Sequence, residues 1–177
     1  MIGNAVRPGR DEAAEYYFRY IDLVPDGDIC AILAAQRPDT LGFLRNIPAE
    51  RTRHTYAAGK WSVGGVVAHL NDCERLFAFR AFWIARGFDL PLPSFDQDIA
   101  AAHDGADDRA FSTHVNEFDA VRASTLELFM NLPADAWLRR GVASGNPFTV
   151  RALAFIGAGH VIHHRKILEE RYLPSAV

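Results

Sequence analysis

The run Ser62-Val63-Gly64-Gly65-Val66-Val67-Ala68-His69-Leu70 opens the clearest helix in this chain. Ser62 is a natural N-cap, because its hydroxyl can accept from a first-turn amide that has no partner within the helix, and Gly87 is a natural stop. Between them Val63, Val66, Val67, Leu70, Phe77 and Ala81 recur at helical spacing and draw one apolar face. Gly64 and Gly65 weaken the first turn by about 1 kcal/mol each relative to alanine.

Outward from this helix the pattern repeats. Toward the N-terminus, a helix is expected from Asp26 or Asp28 to just before Pro48, with Ile29, Ile32, Leu33, Thr40, Leu41 and Leu44 in period. Pro38 removes one backbone hydrogen bond inside it, so a kinked helix and two shorter helices are both admissible. Toward the C-terminus, Phe111, Val115, Phe118, Leu126 and Phe129 mark a helix from about Asp108 to Leu132. Thr149 can cap another that runs to about Tyr172 and ends before Pro174. The stretch from Phe88 to about Ala106, with Pro91 and Pro93, is expected to be a long loop, Pro133 to Trp137 a short turn, and Gly141 to Pro147 a loop or small hairpin. Alternating strands are lacking, so the fold class is all-α, a four-helix bundle.

Composition agrees with a single domain spanning residues 1–177, with residues 1–15 as a peripheral segment before the aromatic stretch Tyr16-Tyr17-Phe18-Arg19-Tyr20-Ile21. A net charge of −3 gives no electrostatic support for binding nucleic acid or an anionic membrane; Arg51, Arg53 and Lys60 make only a local basic turn. No run approaches the roughly 20 apolar residues that span a bilayer. Met1 to Pro8 has no apolar segment of signal-peptide length. Two cysteines, Cys30 and Cys73, make a disulfide scaffold unsuited, and a cytoplasmic location is the default expectation.

Gly159-His160-Val161-Ile162-His163-His164 carries the chemistry. His160 and His164 stand one turn apart within the apolar stripe of Val150, Leu153, Ala154, Gly157, Val161 and Leu168, and His163 falls at its edge. Two imidazoles at i and i+4 on a buried face can bind one cation without bending the backbone. His69, 91 residues earlier, flanks the apolar face of its own helix. By itself it reads as a hydrogen-bonded residue at the core edge; with the pair it supplies a third ligand. Without partners, two buried neutral imidazoles would lose a few kcal/mol in unmet hydrogen bonding, and a shared cation meets that need. Cys73, one turn beyond His69, could close the site as a fourth ligand or could simply be packing. His54, His103 and His114 have no matched spacing.

Glu74 and Arg122 fall on apolar faces and each needs a partner. A mutual interhelical ion pair, or one with Arg165, would fix bundle register; alternatively Glu74 orients a ligand imidazole.

Taken together, Gly59-Lys60-Trp61-Ser62, His69-Leu70 with Glu74-Arg75, Phe95-Asp96-Gln97-Asp98, and Gly159-His160 with His163-His164 resemble the DinB-like superfamily, a group of metal-binding bundles that also contains bacillithiol S-transferases and mycothiol-dependent enzymes. The resemblance runs from about Tyr16 to Tyr172. It implies an up-down-down-up bundle with a divalent metal on His69, His160 and His164, and frequent homodimers. This chain departs from the family pattern at Gly65, where Glu or Gln is often found. The expected function is therefore a metal-dependent enzyme acting on a small molecule, by thiol S-transfer with a low-molecular-weight thiol or by hydrolysis. Zinc or nickel would suit imidazole ligands. Arg80, in line with His69, could bind a substrate carboxylate, and Asp96 or Asp98 could reach over the site as a base. The alternative is a non-catalytic metal-binding or stress-response protein, or a metal-free bundle whose histidines bond one another.

Overall fold

The computed structural model describes residues 6–173. Residues 1–5 of the expected peripheral segment, and Pro174 at the expected end of the last helix, lie outside that range. The elements in chain order are α1 (Phe18–Ile21), α2 (Ile29–Arg45), α3 (Val63–Ala85), α4 (Gln97–His103), α5 (Phe111–Met130), a hairpin of β1 (Arg140–Ala143) and β2 (Asn146–Thr149), and α6 (Val150–Ile167). The four long helices, α2, α3, α5 and α6, form the bundle.

Side-chain caps fix where three of them start. Asp28 accepts from the amides of Cys30 and Ala31, Ser62 from Gly65, and Thr149 from Ala152. Each satisfies amides that the helix itself leaves unpaired. α3 stops where Gly87 turns to φ +83°. α2 is one helix through Pro38 rather than two. Burial of Leu33 on one side of the proline, and of Leu41 and Leu44 on the other, outweighs the single missing hydrogen bond. α6 loosens after Ile167 into a wider π-helical turn, Leu168–Tyr172.

Long-range hydrogen bonds give the helix directions. Asn71 donates to the His114 carbonyl and Arg122 to Glu74, so α3 and α5 run parallel. Gln36 donates to the Ala158 carbonyl and Arg165 to Asp39, so α2 and α6 also run parallel. Tyr172, just past α6, donates to the Trp61 carbonyl just before α3, so these two are antiparallel. The order is up-down-down-up. α3 packs against both α5 and α6, and α2 against the same two, which leaves α2–α3 and α5–α6 as the diagonal pairs.

Two apolar clusters fill the interior. One gathers Ile21, Phe129, Trp137, Phe148, Phe155 and Ile156 beneath the N-terminal segment and the hairpin. The other gathers Leu44, Val67, Phe118, Val161 and Leu168 at the opposite end. The N-terminal segment is tied in by Glu12, 5 % exposed, which accepts from Thr149 Oγ1 at 2.8 Å, Arg151 Nε at 3.1 Å and the Gly9 amide at 2.9 Å. Burial raises the Glu12 pKa, but the hydrogen bonds from Arg151, the Gly9 amide and Thr149 outweigh it and hold the carboxyl below its ordinary value. Among the described residues, no helix is long and apolar enough to cross a membrane.

Candidate metal centre

His69 lies in the second turn of α3, and His160 and His164 lie in the last turns of α6, at the seam between the two apolar clusters. Antiparallel packing brings the early part of one helix beside the late part of the other, which closes the 91-residue gap in sequence. His69 Nε2 and His160 Nε2 are 3.1 Å apart. The ring centres are separated by 5.0 Å for His69–His160, 4.9 Å for His69–His164 and 4.5 Å for His160–His164. One nitrogen from each ring falls within 4.8 Å of the other two, and no other such cluster of His, Cys, Asp or Glu occurs among the described residues.

The backbone allows this because residue 159 is glycine. A Cβ there would run into the Tyr20 carbonyl oxygen, so this close crossing of α1 over α6 needs a glycine at that position. The crossing lays the Tyr20 ring 5.2 Å from His160 and 5.3 Å from His163. Trp61 covers His69 at 4.7 Å, and Phe77 flanks His160 at 5.7 Å. Aromatic rings thus cover His69 and His160, both buried, while His164 is half-buried at the edge of the cluster.

Enclosure sets the protonation. Burial lowers the His69 pKa to about 4 and takes His160 well below the ordinary histidine range. Burial, then the neighbouring His69 and His163, lowers that of His164 to about 3. All three are neutral bases at pH 7, with lone pairs available and no carboxylate among them. His164 Nδ1 is buried with no hydrogen-bond partner.

These are the properties of a divalent-cation site. Nitrogen ligands about 2.0–2.1 Å from a tetrahedral zinc lie about 3.3 Å from one another, close to the His69–His160 separation. A cation would replace the hydrogen bonds that three desolvated imidazoles cannot all give each other. Cys73 Sγ sits 3.6 and 3.7 Å from the two nitrogens of His69, packed alongside the ring. Burial pushes its thiol up to about 12 in the metal-free protein, and the donor cluster comprises the three imidazoles.

The chain belongs to the DinB superfamily. The family profile matches residues 32–168, which contain all three clustered histidines. Among solved structures, YfiT from Bacillus subtilis is similar in fold, with a TM-score of 0.69 over 90% of this chain and 87% of that one, at 15% identity. YfiT is described as a probable metal-dependent hydrolase with an unusual four-helix bundle topology. No curated protein sequence matches the chain.

The remaining expected site residues divide sharply. Arg80 is 2 % exposed and lines a cavity of about 270 Å³ that is also lined by His69, Cys73 and His160. Asp96 is committed elsewhere: its Oδ1 accepts from the amides of Asp98 and Ile99 and caps α4, a helix hidden within the expected long loop. Asp98 is exposed in the first turn of that helix. Neither Asp lines the cavity, whereas their neighbours Phe95 and Gln97 do. Glu74 gives both carboxylate oxygens to Arg122, at 2.6 and 2.9 Å, and orients no imidazole. His163 is half-buried beside Tyr20. His114 is buried, with Nε2 against the Ala106 carbonyl at 2.9 Å. Sequence reasoning missed Tyr20, Phe77 and Ser144 as cavity walls; of these only Tyr20 leaves a trace, in the glycine before His160.

Proposed function

We propose that this protein is a metal-dependent enzyme that acts on a small molecule, with His69, His160 and His164 holding zinc or nickel. The observation that carries the reading is a cluster of three neutral imidazoles, His69 and His160 buried and His164 half-buried, two of which line a cavity, with no carboxylate or thiol joining the cluster among the described residues. A structural zinc site usually closes with a fourth protein ligand; an open position beside a cavity suits catalysis better than a non-catalytic store. A divalent cation there would supply Lewis acidity and lower the pKa of a water or thiol occupying the open position.

The chain's own residues prepare that chemistry. Trp61, Tyr20 and Phe77 desolvate the imidazoles and keep them unprotonated. Gly159 lets the N-terminal segment form one side of the chamber. Arg122 takes both oxygens of the buried Glu74 carboxylate, which leaves the donor cluster to the imidazoles. The likeness to YfiT supports hydrolysis of a small substrate; the wider family resemblance supports S-transfer from a low-molecular-weight thiol.

The test is metal analysis of protein purified without a histidine tag, beside His160→Ala and His164→Ala variants. About one equivalent of divalent metal is expected in the parent and little in either variant. Equal content in all three removes the proposal. Metal-loaded protein is then assayed against ester and amide panels, and against thiols paired with electrophiles, to separate the two reactions.

A further inference from the structure

Arg80 is a buried cation without an anion. Its Nη2 donates to Ser144 Oγ at 2.7 Å and to the Pro93 carbonyl at 3.3 Å, and its Nε has no partner. Among the described residues no carboxylate pairs with it, in contrast to Arg122, which is equally buried and fully engaged by Glu74. Neutral acceptors only partly replace the water a guanidinium loses on burial. A planar fork of this kind is matched by a carboxylate, which can take two parallel hydrogen bonds from it.

Its position relative to the histidines is set by α3. Eleven residues are close to three whole turns, so His69 and Arg80 lie on one side of the helix, with Cys73 and Leu76 between them. Their backbones are about 16 Å apart along the axis, and an arginine side chain in a helix leans back toward the N-terminus, shortening the gap. Leu76, Phe77, Tyr17 and Phe95 line the same cavity. One end is therefore basic and the far end imidazole, with Leu76 between them on the helix and the polar Tyr16, Gln97 and Ser144 also on the walls.

We infer that this cavity binds a small carboxylic acid lengthwise, its carboxylate on Arg80, its aromatic or aliphatic body along Leu76 and Phe77, and its other end at the histidines. The assignment of the histidine end as the reacting end rests on the proposed function; the carboxylate end does not. Ser144, from the turn of the hairpin, holds the guanidinium in place, so the hairpin is part of the binding site.

The test uses 3-phenylpropionate and 3-phenylpropanol, one skeleton with and without the charge, titrated calorimetrically into full-length protein as purified and after chelator treatment. The acid should bind at least tenfold more tightly than the alcohol in both preparations. Arg80→Gln, checked for folding by circular dichroism, should bring the two within about twofold. Leu76→Trp, which fills the cavity and leaves Arg80 in place, should weaken acid binding at least tenfold and keeps the test decisive if the Arg80 variant does not fold. Equal binding of acid and alcohol by the parent overturns the inference, as does full acid preference in Arg80→Gln or unchanged acid binding in Leu76→Trp. An acid preference that vanishes with the chelator also overturns it, because the anion then sits on the cation; that result would support the metal site. Preference that follows Arg80 in both preparations supports the inference whatever the metal content.

Discussion

Two polar clusters are buried in this bundle on different sides of α3, and they are built on opposite principles. Around Arg122, every strong demand is met within the protein: Glu74 supplies two oxygens and Gln36 Oε1 a third at 2.6 Å. Around His160, three imidazoles of the same kind face one another, none bears a charge at pH 7, and His164 Nδ1 has no partner. The first cluster joins α2, α3 and α5 and is self-sufficient. The second joins α3 and α6 and is incomplete without a ligand. A buried ion pair is weak evidence for stability and better evidence for register, while an unfinished polar cluster next to a cavity is where binding is expected.

The largest effect should come from breaking the closed cluster. Glu74→Gln removes the charge that compensates Arg122, and a loss of about 3–5 kcal/mol is expected in denaturant unfolding, within the range for a severed buried pair. A change under 1 kcal/mol would mean that Arg122 is solvated and the contrast is false. Next, the open cluster should draw its stability from outside the chain. Chelator should destabilise the parent by about 2.7 kcal/mol relative to protein held at a hundredfold excess of metal over its dissociation constant, and leave His160→Ala almost unmoved. The same chelator response in both proteins would detach metal from that histidine.

Gly159→Ala probes the packing that forms one side of the open cluster. The added methyl meets the Tyr20 carbonyl, so a loss of about 1–3 kcal/mol is expected, together with weaker metal retention as Tyr20 is displaced from His160. Thermal unfolding and metal content, measured on the same sample, separate the two consequences. The smallest effect belongs to a second closed cluster, Glu12 with Arg151 and Thr149. Because the folded Glu12 pKa lies below its ordinary value, its stabilisation is complete above the unfolded pKa and is lost as pH falls through the folded value. Glu12→Gln should therefore lower stability at pH 7 and flatten its decline below about pH 4.5. An unchanged acid limb would show that Glu12 has no part in it.

What could be read from sequence was what short-range physics governs. Ser62 and Thr149 announce their helices because a capping side chain acts on amides two or three residues away, and of the two admissible caps Asp26 and Asp28 the structure uses Asp28. Glu74 and Arg122 each announce a need for a partner because neither can be buried alone, and the structure selects their mutual pair over Arg165 or a ligand imidazole. His69, His160 and His164 could be grouped from helical phase, and the structure brings those rings together. Less legible was whatever depends on tertiary approach or on a choice between local alternatives. Asp96 looked available for chemistry because α4 is only seven residues long and sits behind two prolines, yet its carboxylate caps that helix. Pro38 left open a break that burial on both sides does not permit. Ser144 and Tyr20 reach the cavity from a hairpin and from the N-terminal segment, and no spacing rule connects either to α3.

The family profile begins at residue 32, after Tyr16, Tyr17 and Tyr20 have already passed. The profile thus spans the three imidazoles and Arg80, while one side of the chamber comes from a segment that precedes residue 32. The imidazole cluster and this wall of the cavity are thus carried by separate stretches of the chain. Exchanging that segment between relatives should reshape the cavity wall without touching the three imidazoles.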